Sequence, residues 1–248
     1  KDLAYATAAG MVAMGLEKGD RVALLSESRT EWVLGELGIL HAGAICVPLS
    51  ILLKEGADLK FRIDHSGSRW IIVSALQYEK IRAIRKDLAS LEKIILLDPR
   101  ESYGEDEMFM GRVRNSGEEY LKSNHEKFLE RVKSVGPDDY ANISYTSGTT
   151  ADPKAIILSH RNYTANIEQT LTLMDVPEWW TTLLILPWDH SFAHTVGIYI
   201  MMATGASLAA VQSGRSYLDS IKNIPANIRE IRPVFLLSAP ALAKNFRK

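Results

Sequence analysis

Cysteine is nearly absent from this 248-residue chain: Cys46 stands alone, so no internal disulfide can form. No Cys/His spacing of the kind that binds zinc occurs either. Charge of one sign is also missing. Lys and Arg number 29 against 30 Asp and Glu, a formal net charge of −1. A nucleic-acid-binding chain usually carries a large basic excess, so that class is excluded. There is no signal-peptide pattern, no low-complexity tract and no internal repeat. The chain opens Lys1-Asp2-Leu3, and a true N-terminus upstream is expected. The longest uncharged stretch, Thr195 to Gly214, barely reaches the length of a membrane span. It is broken by Gly197, Thr204, Gly205 and Ser207, so a buried helix, a glycine turn and a buried strand are expected there. A reducing compartment is compatible with the single thiol.

What is present is ordinary for a folded chain. Hydrophobic residues make up 46% and charged residues 24%, which excludes a disordered chain. The length predicts one large domain or two small ones, burying roughly 70–75% of the unfolded surface without metal or disulfide support. Short apolar runs alternate with helical patterns. Arg21–Leu25 reads as a strand after the Gly19-Asp20 turn. Ser28-x-x-Glu31 resembles a capping box, and Val33, Leu37 and Leu40 then share a helical face that Gly43 closes. Strands are expected near 44–47, 70–73 and 94–97, with helices over 59–63 and 76–88. Apolar strands separated by helices predict an α/β fold with parallel sheets sandwiched by helices.

Between Pro99 and Asp139, 17 of the 41 residues are charged, well above the chain average. This predicts a surface connector carrying one exposed helix with Leu121, Phe128, Leu129 and Val132 on its inner stripe. The α/β rhythm then resumes: strands near 142–145 and 155–158, a helix with Tyr163, Ile167, Leu171 and Met174 on one face, and strands near 183–186, 207–211 and 234–237.

The sharpest feature is Tyr145-Thr146-Ser147-Gly148-Thr149-Thr150-Ala151-Asp152-Pro153-Lys154. Four hydroxyl residues, a glycine and a lysine crowd one loop between two strands. Hydroxyls and backbone N–H groups can wrap an anion while the lysine supplies mobile positive charge. Gly148 lets the backbone curl, and Pro153 stiffens the exit. The plainer alternative is a Ser/Thr-rich hairpin turn, but such turns favour Asn-Gly or Asp-Gly. The P-loop of nucleotide triphosphatases does not fit, because Pro153 stands where its second glycine belongs and Ala155 follows the lysine.

Followed by an apolar run and Ser159-His160, this loop resembles the signature of the adenylate-forming superfamily. That family includes acyl-CoA synthetases, luciferase-like enzymes and the adenylation domains of peptide synthetases. Gly19–Ala23, Glu36–Pro48, Leu186–His190 and the stretch from Arg232-Pro233 to Pro240 extend the resemblance along nearly the whole chain. The family has glycine where this chain has Ala151 and Ala155. If either needed positive φ, alanine would cost ~1–2 kcal/mol.

The resemblance implies an ATP-dependent carboxylate–CoA ligase, with long-chain fatty acids as the expected substrates, that forms an acyl-adenylate and then a thioester. It implies that Ser147, Gly148, Thr149, Thr150 and Lys154 hold the ATP phosphates, with Lys154 the catalytic cation. Thr146 joins them and touches magnesium (Mg2+), and His190 borders the acyl pocket. Coenzyme A is the implied co-substrate, and the implied location is cytoplasmic or membrane-peripheral. For His190, a merely packed histidine is the alternative. A metal pair with His194 is disfavoured by Ser191, where a zincin needs Glu. Trp179-Trp180 reads as a packing pair. The basic run Lys80, Arg82, Arg85 and Lys86 reads as a solvated face or as a surface for the coenzyme A nucleotide. The family's downstream motifs are not found before Lys248, so the resemblance implies part of the large N-terminal domain, inactive alone. Its interleaved layout implies one subdomain over 44–176 and another over 1–43 plus 177–248. Two alternatives remain: transfer to a carrier-protein thiol, or a degenerate nucleotide-binding module.

Overall fold

The computed structural model describes residues 1–54, 56–146, 153–214 and 216–237. Two compact units are present. The first comprises residues 1–26 and 31–161, the second residues 27–30 and 162–248.

In the first unit the elements run α1 (Asp2–Ala13), β1 (Arg21–Leu25), α2 (Thr30–His41), β2 (Ile45–Pro48), α3 (Ala57–Ser66), β3 (Trp70–Val73), α4 (Ala75–Ile84), β4 (Lys93–Leu96), β5 (Glu107–Phe109), α5 (Met110–Lys133), β6 (Tyr140–Thr146) and β7 (Lys154–Ser159). The strands form one sheet in the order β5-β4-β3-β1-β2-β6-β7. Every neighbouring pair is parallel except β6 and β7, which are antiparallel. β1 to β4 are nearly all buried, as their continuous apolar runs require of a sheet covered on both faces. Leu59 and Ile63 of α3 and Tyr78, Ile81 and Ile84 of α4 pack with Ala23, Val47, Ile71, Val73 and Leu96. On the other face, Gly35 of α2 lies against Leu24 and Ile72.

The division expected at residues 43/44 and 176/177 is corrected by the sheet. β1 lies between β3 and β2 and bonds to both. Separating it from β2 would orphan the backbone groups of a buried strand. The observed boundary falls at 161/162, just inside α6 (His160–Leu173).

The charge-rich connector is more buried than expected. It contributes the edge strand β5 and the 24-residue α5. α5 is charged outward and packs Val113, Gly117 and Phe128 inward. Phe128 is fully buried and meets Tyr5 of α1 edge-on, with ring centroids 5.4 Å apart. α1 and α5 approach so closely that a Cβ on Gly117 would lie 1.9 Å from the Ala6 carbonyl oxygen. One on Gly10 would lie 1.9 Å from that of Val113.

The second unit holds β8 (Thr181–Leu184), a π-helical segment over Ala193–Tyr199 that runs into α7 (Ile200–Thr204), β9 (Ser207–Ala210), α8 (Tyr217–Ile231) and β10 (Phe235–Leu237). Its three strands are parallel in the order β10-β8-β9. The uncharged stretch 195–214 is a helix, a left-handed turn at Gly205 (φ 75°) and a strand, as expected, although β9 is only half-buried.

The start of α6 is held electrostatically within the first unit. The His160 N–H donates to the Asp139 carbonyl at 3.0 Å, and Arg161 pairs with Asp138 at 2.7 Å. Asp139 accepts from Lys18 at 2.7 Å, which holds its carboxyl below the usual range. Burial pushes the His160 imidazole below its ordinary value of 6.5, outweighing the opposing pull of Asp139. His41 and Lys18 add to the lowering.

Two outcomes follow from this packing. Gly117→Ala is expected to lower stability by about 1–3 kcal/mol, or more because backbone rather than a side chain must give way, measured as a fall in the urea midpoint. His160 is neutral in the folded chain, so its contribution is intact above pH ~6.5 and is lost as pH falls, because the unfolded chain takes the proton more readily. His160→Gln is expected to flatten the pH dependence of the urea midpoint between pH 7 and 5.

Candidate functional site

The hydroxyl-rich stretch connects the end of β6 at Thr146 to the start of β7 at Lys154. Ser147, Gly148, Thr149, Thr150, Ala151 and Asp152 lie outside the described residues. The first paired rung beside that stretch is placed. Thr146 and Lys154 are directly paired on the last rung of the hairpin, and both are exposed. Paired residues of an antiparallel ladder share a face, with Cβ atoms ~5 Å apart. The threonine hydroxyl and the lysine ammonium therefore leave the sheet on one side, at the mouth of the loop.

The next rung inward points to the opposite face. Tyr145 pairs with Ala155, and both pack on the core beneath α3. The Tyr145 hydroxyl donates to the Arg62 carbonyl at 3.2 Å and lies 3.0 Å from His65 Nδ1. The Arg62 guanidinium sits over the ring at 5.6 Å from its centroid. Burial raises the Tyr145 phenol above its ordinary value, so it stays protonated. Sequence reasoning missed this brace: Tyr145 belongs to the motif, but nothing in its neighbourhood announces a partner 80 positions away.

Ala155 carries no left-handed strain. It lies in the extended strand β7, and Arg232 is the one non-glycine residue with positive φ among the described residues. The conformational cost considered for this position therefore does not arise. Ala151 lies outside the described residues.

His190 and His194 separate in environment. His190 is exposed, and its Nδ1 accepts the Phe192 N–H at 3.2 Å, which leaves Nε2 as the proton-bearing nitrogen of the neutral ring. His194 is fully buried in the π-helical segment. It stacks on Tyr199 at 5.9 Å and meets Tyr163 edge-on at 6.0 Å. Gly197 lets this segment close on β8, since a Cβ there would sit 2.5 Å from the Leu184 side chain. Of the tryptophan pair, Trp180 packs on Phe235 at 5.4 Å, while Trp179 is 71% exposed.

Three cations of the basic run over 80–86, on α4 and the 3₁₀ turn Arg85–Asp87 after it, are engaged inside the first unit. Lys80 donates to the Ile51 and Leu53 carbonyls at 2.7 Å each, Arg82 pairs with Glu79 at 3.1 Å and Arg85 with Asp106 at 2.6 Å. Lys80 thereby pins the loop after β2, which an open cationic surface would not do. Cys46 is buried, and desolvation pushes its thiol well above the ordinary range, so it is no nucleophile. No described helix is long and apolar enough to cross a membrane.

The sequence pattern of the AMP-binding enzymes fits residues 1–248. The chain belongs to that family. Among curated proteins, it is 29% identical over 212 residues to the 3-[(3aS,4S,7aS)-7a-methyl-1,5-dioxo-octahydro-1H-inden-4-yl]propanoyl:CoA ligase of Mycobacterium tuberculosis. That match covers 84% of this chain and 40% of the relative. It is 26% identical over 235 residues to fatty acyl-CoA synthetase A of Dictyostelium discoideum, covering 93% of this chain and 33% of that one. The chain thus spans two fifths or less of the length of these relatives. The solved N-terminal domain of FACL13 from Mycobacterium tuberculosis superposes with a TM-score of 0.75 at 26% identity, covering all of this chain and 56% of that one. The expected α/β architecture is that of these enzymes' N-terminal domain, with one antiparallel hairpin added to the parallel sheet.

An extended β position gains nothing from glycine. Ala155→Gly is expected to lower stability by about 0.5–1 kcal/mol in urea unfolding, with no gain in ligand affinity.

Proposed function

We propose that this chain supplies the phosphate-binding part of an ATP-dependent carboxylate–CoA ligase. The pairing of Thr146 with Lys154 at the mouth of the loop is the observation that carries the reading. In it, Ser147, Gly148, Thr149 and Thr150 donate to the β- and γ-phosphates of ATP, and Lys154 sets its ammonium against them. A carboxylate oxygen of the substrate attacks the α-phosphorus. A new O–P bond forms, the bond to the β-phosphate oxygen breaks, and pyrophosphate leaves with the electron pair. Negative charge grows on that leaving group, and Lys154 with the loop donors stabilises it. The acyl-adenylate then yields its acyl group to the thiol of coenzyme A, releasing AMP.

Magnesium, bound with ATP, would screen the phosphate charge from the incoming carboxylate. Among the described residues no group of three or more His, Cys, Asp or Glu side chains could hold a metal ion. The ion is read as arriving on the nucleotide, where the Thr146 hydroxyl would be a protein neighbour.

The acyl group is read as a long-chain fatty acid. The Trp188-Asp189-His190 segment and the likeness to a fatty acyl-CoA synthetase support it. His190, exposed and with its ring orientation fixed through Phe192, stands at the border of the acyl site in this reading. The cytoplasm or a membrane surface is the proposed place of work. Because the chain spans only part of its relatives' length, catalysis by these 248 residues alone is not expected.

The test is carboxylate-dependent ATP–pyrophosphate exchange by the intact protein, with acids from acetate to palmitate, followed by addition of coenzyme A. Exchange that peaks with long acids, and thioester on adding coenzyme A, is the expected result. Lys154→Ala is expected to lower the exchange rate by about 10²–10³-fold, as losing one preorganised charge partner does elsewhere. Exchange with amino acids instead, or none with any acid, would sink the fatty-acid assignment.

A further inference from the structure

The rung that carries Thr146 and Lys154 is held from behind by α3. Tyr145, the neighbour of Thr146, points to the opposite face of the hairpin and reaches two groups one turn apart on α3. A phenol has a single hydrogen, and Tyr145 gives it to the Arg62 carbonyl. With that hydrogen on the Arg62 carbonyl, the 3.0 Å contact with His65 is a hydrogen bond in the tautomer that carries its proton on Nδ1. The His65 ring is itself oriented. It stacks on Phe61, with centroids 5.0 Å apart and an interplanar angle of 22°, and meets the Tyr145 ring edge-on at 5.9 Å. Arg62 is 8% exposed and completes the enclosure, bonding the Asp58 carbonyl at 3.0 Å while covering the tyrosine ring.

Among the described residues β7 is the last strand of the sheet, and β6 pairs with it on one side and with β2 on the other. Tyr145 adds a side-chain anchor to β6 at the rung next to Thr146. We propose that His65 is a positioning residue for phosphate binding: through the Tyr145 hydroxyl it fixes the rung from which Thr146 and Lys154 present their side chains. The inference rests on the phosphate reading of the loop. His65 touches no reacting atom; it acts only through Tyr145.

The experiment uses the intact protein and two readouts. One is amide hydrogen exchange at residues 144–146 and 154–156. The other is calorimetric titration with magnesium pyrophosphate. The variants are His65→Ala, Tyr145→Phe, their double, and His65→Asn, whose amide N–H can stand in for Nδ1–H. Losing one such hydrogen bond is expected to speed exchange at the hairpin end and to weaken pyrophosphate affinity by about five-fold each. The double variant is expected to be no worse than either single, and His65→Asn is expected to restore both readouts. Tyr145→Phe removes one oxygen only, so its folding serves as the control for His65→Ala. Unchanged exchange at the hairpin end would overturn the brace. Faster exchange with unaltered affinity would reduce His65 to a structural role and overturn the proposal. Failure of the unmodified intact protein to bind pyrophosphate would instead overturn the phosphate reading and remove the positioning role with it, whatever the exchange shows.

Discussion

The pairing of β6 with β2 is the join on which the candidate site depends. Everything from β5 to β2 runs in one direction, and a helix follows each of β1, β2, β3 and β5. β6 continues that parallel order, and β7 then reverses it. A parallel neighbour would have needed a crossover of a dozen residues or more. The reversal allows the seven residues 147–153 to lie between two directly paired residues. Thr146 and Lys154 owe their proximity to this change of direction, while Tyr145 on the opposite face ties the same strand to the core.

Charge is distributed in a way that suits such a site. Several cations elsewhere in the first unit are held by partners: Lys80 by carbonyl groups, Arg85 by Asp106, and Arg69 by Asp20 and Glu92 together. Glu92 is correspondingly held below its usual range by Arg69. These pairs fasten helices and loops and leave little unneutralised positive field on α4. The Lys154 ammonium, by contrast, is exposed beside a loop rich in hydroxyls. A chain with net charge near zero can attract a polyanion only by such local arrangement.

Much of the fold was legible because its strands are short, apolar and flanked by clear stops. Arg21–Leu25 and Trp70–Val73 were bounded to the residue, since both faces of these strands are buried and their composition shows it. α1 escaped because Ala, Gly and Met on every side leave no polar face to mark its period. α8 escaped because Pro225 sits inside it, and β5 because three half-buried residues leave too faint a pattern. The domain boundary was misplaced for a different reason: strand order is a property of pairing, which no local pattern encodes. At the site, the residue types and spacing of the loop were plain, and so was the freedom of Ala155 once its strand was seen. The contribution of α3 was invisible because Tyr145 and His65 meet only after β2, β6 and α3 have taken their places.

The order of the strands also sets a timetable for synthesis. β2 is complete at Pro48, but its outer neighbour begins only at Tyr140, 92 positions later by subtraction. At ~5–20 residues per second on the ribosome, that edge waits roughly 5–20 seconds for its partner. During that interval β1 to β4 can assemble with α2, α3 and α4, while a flat apolar edge of Ile45, Cys46 and Val47 stays open to any other strand. The nascent chain therefore passes through a stage in which that strand edge is unpaired. The hairpin that carries the candidate site is also the piece whose arrival ends it.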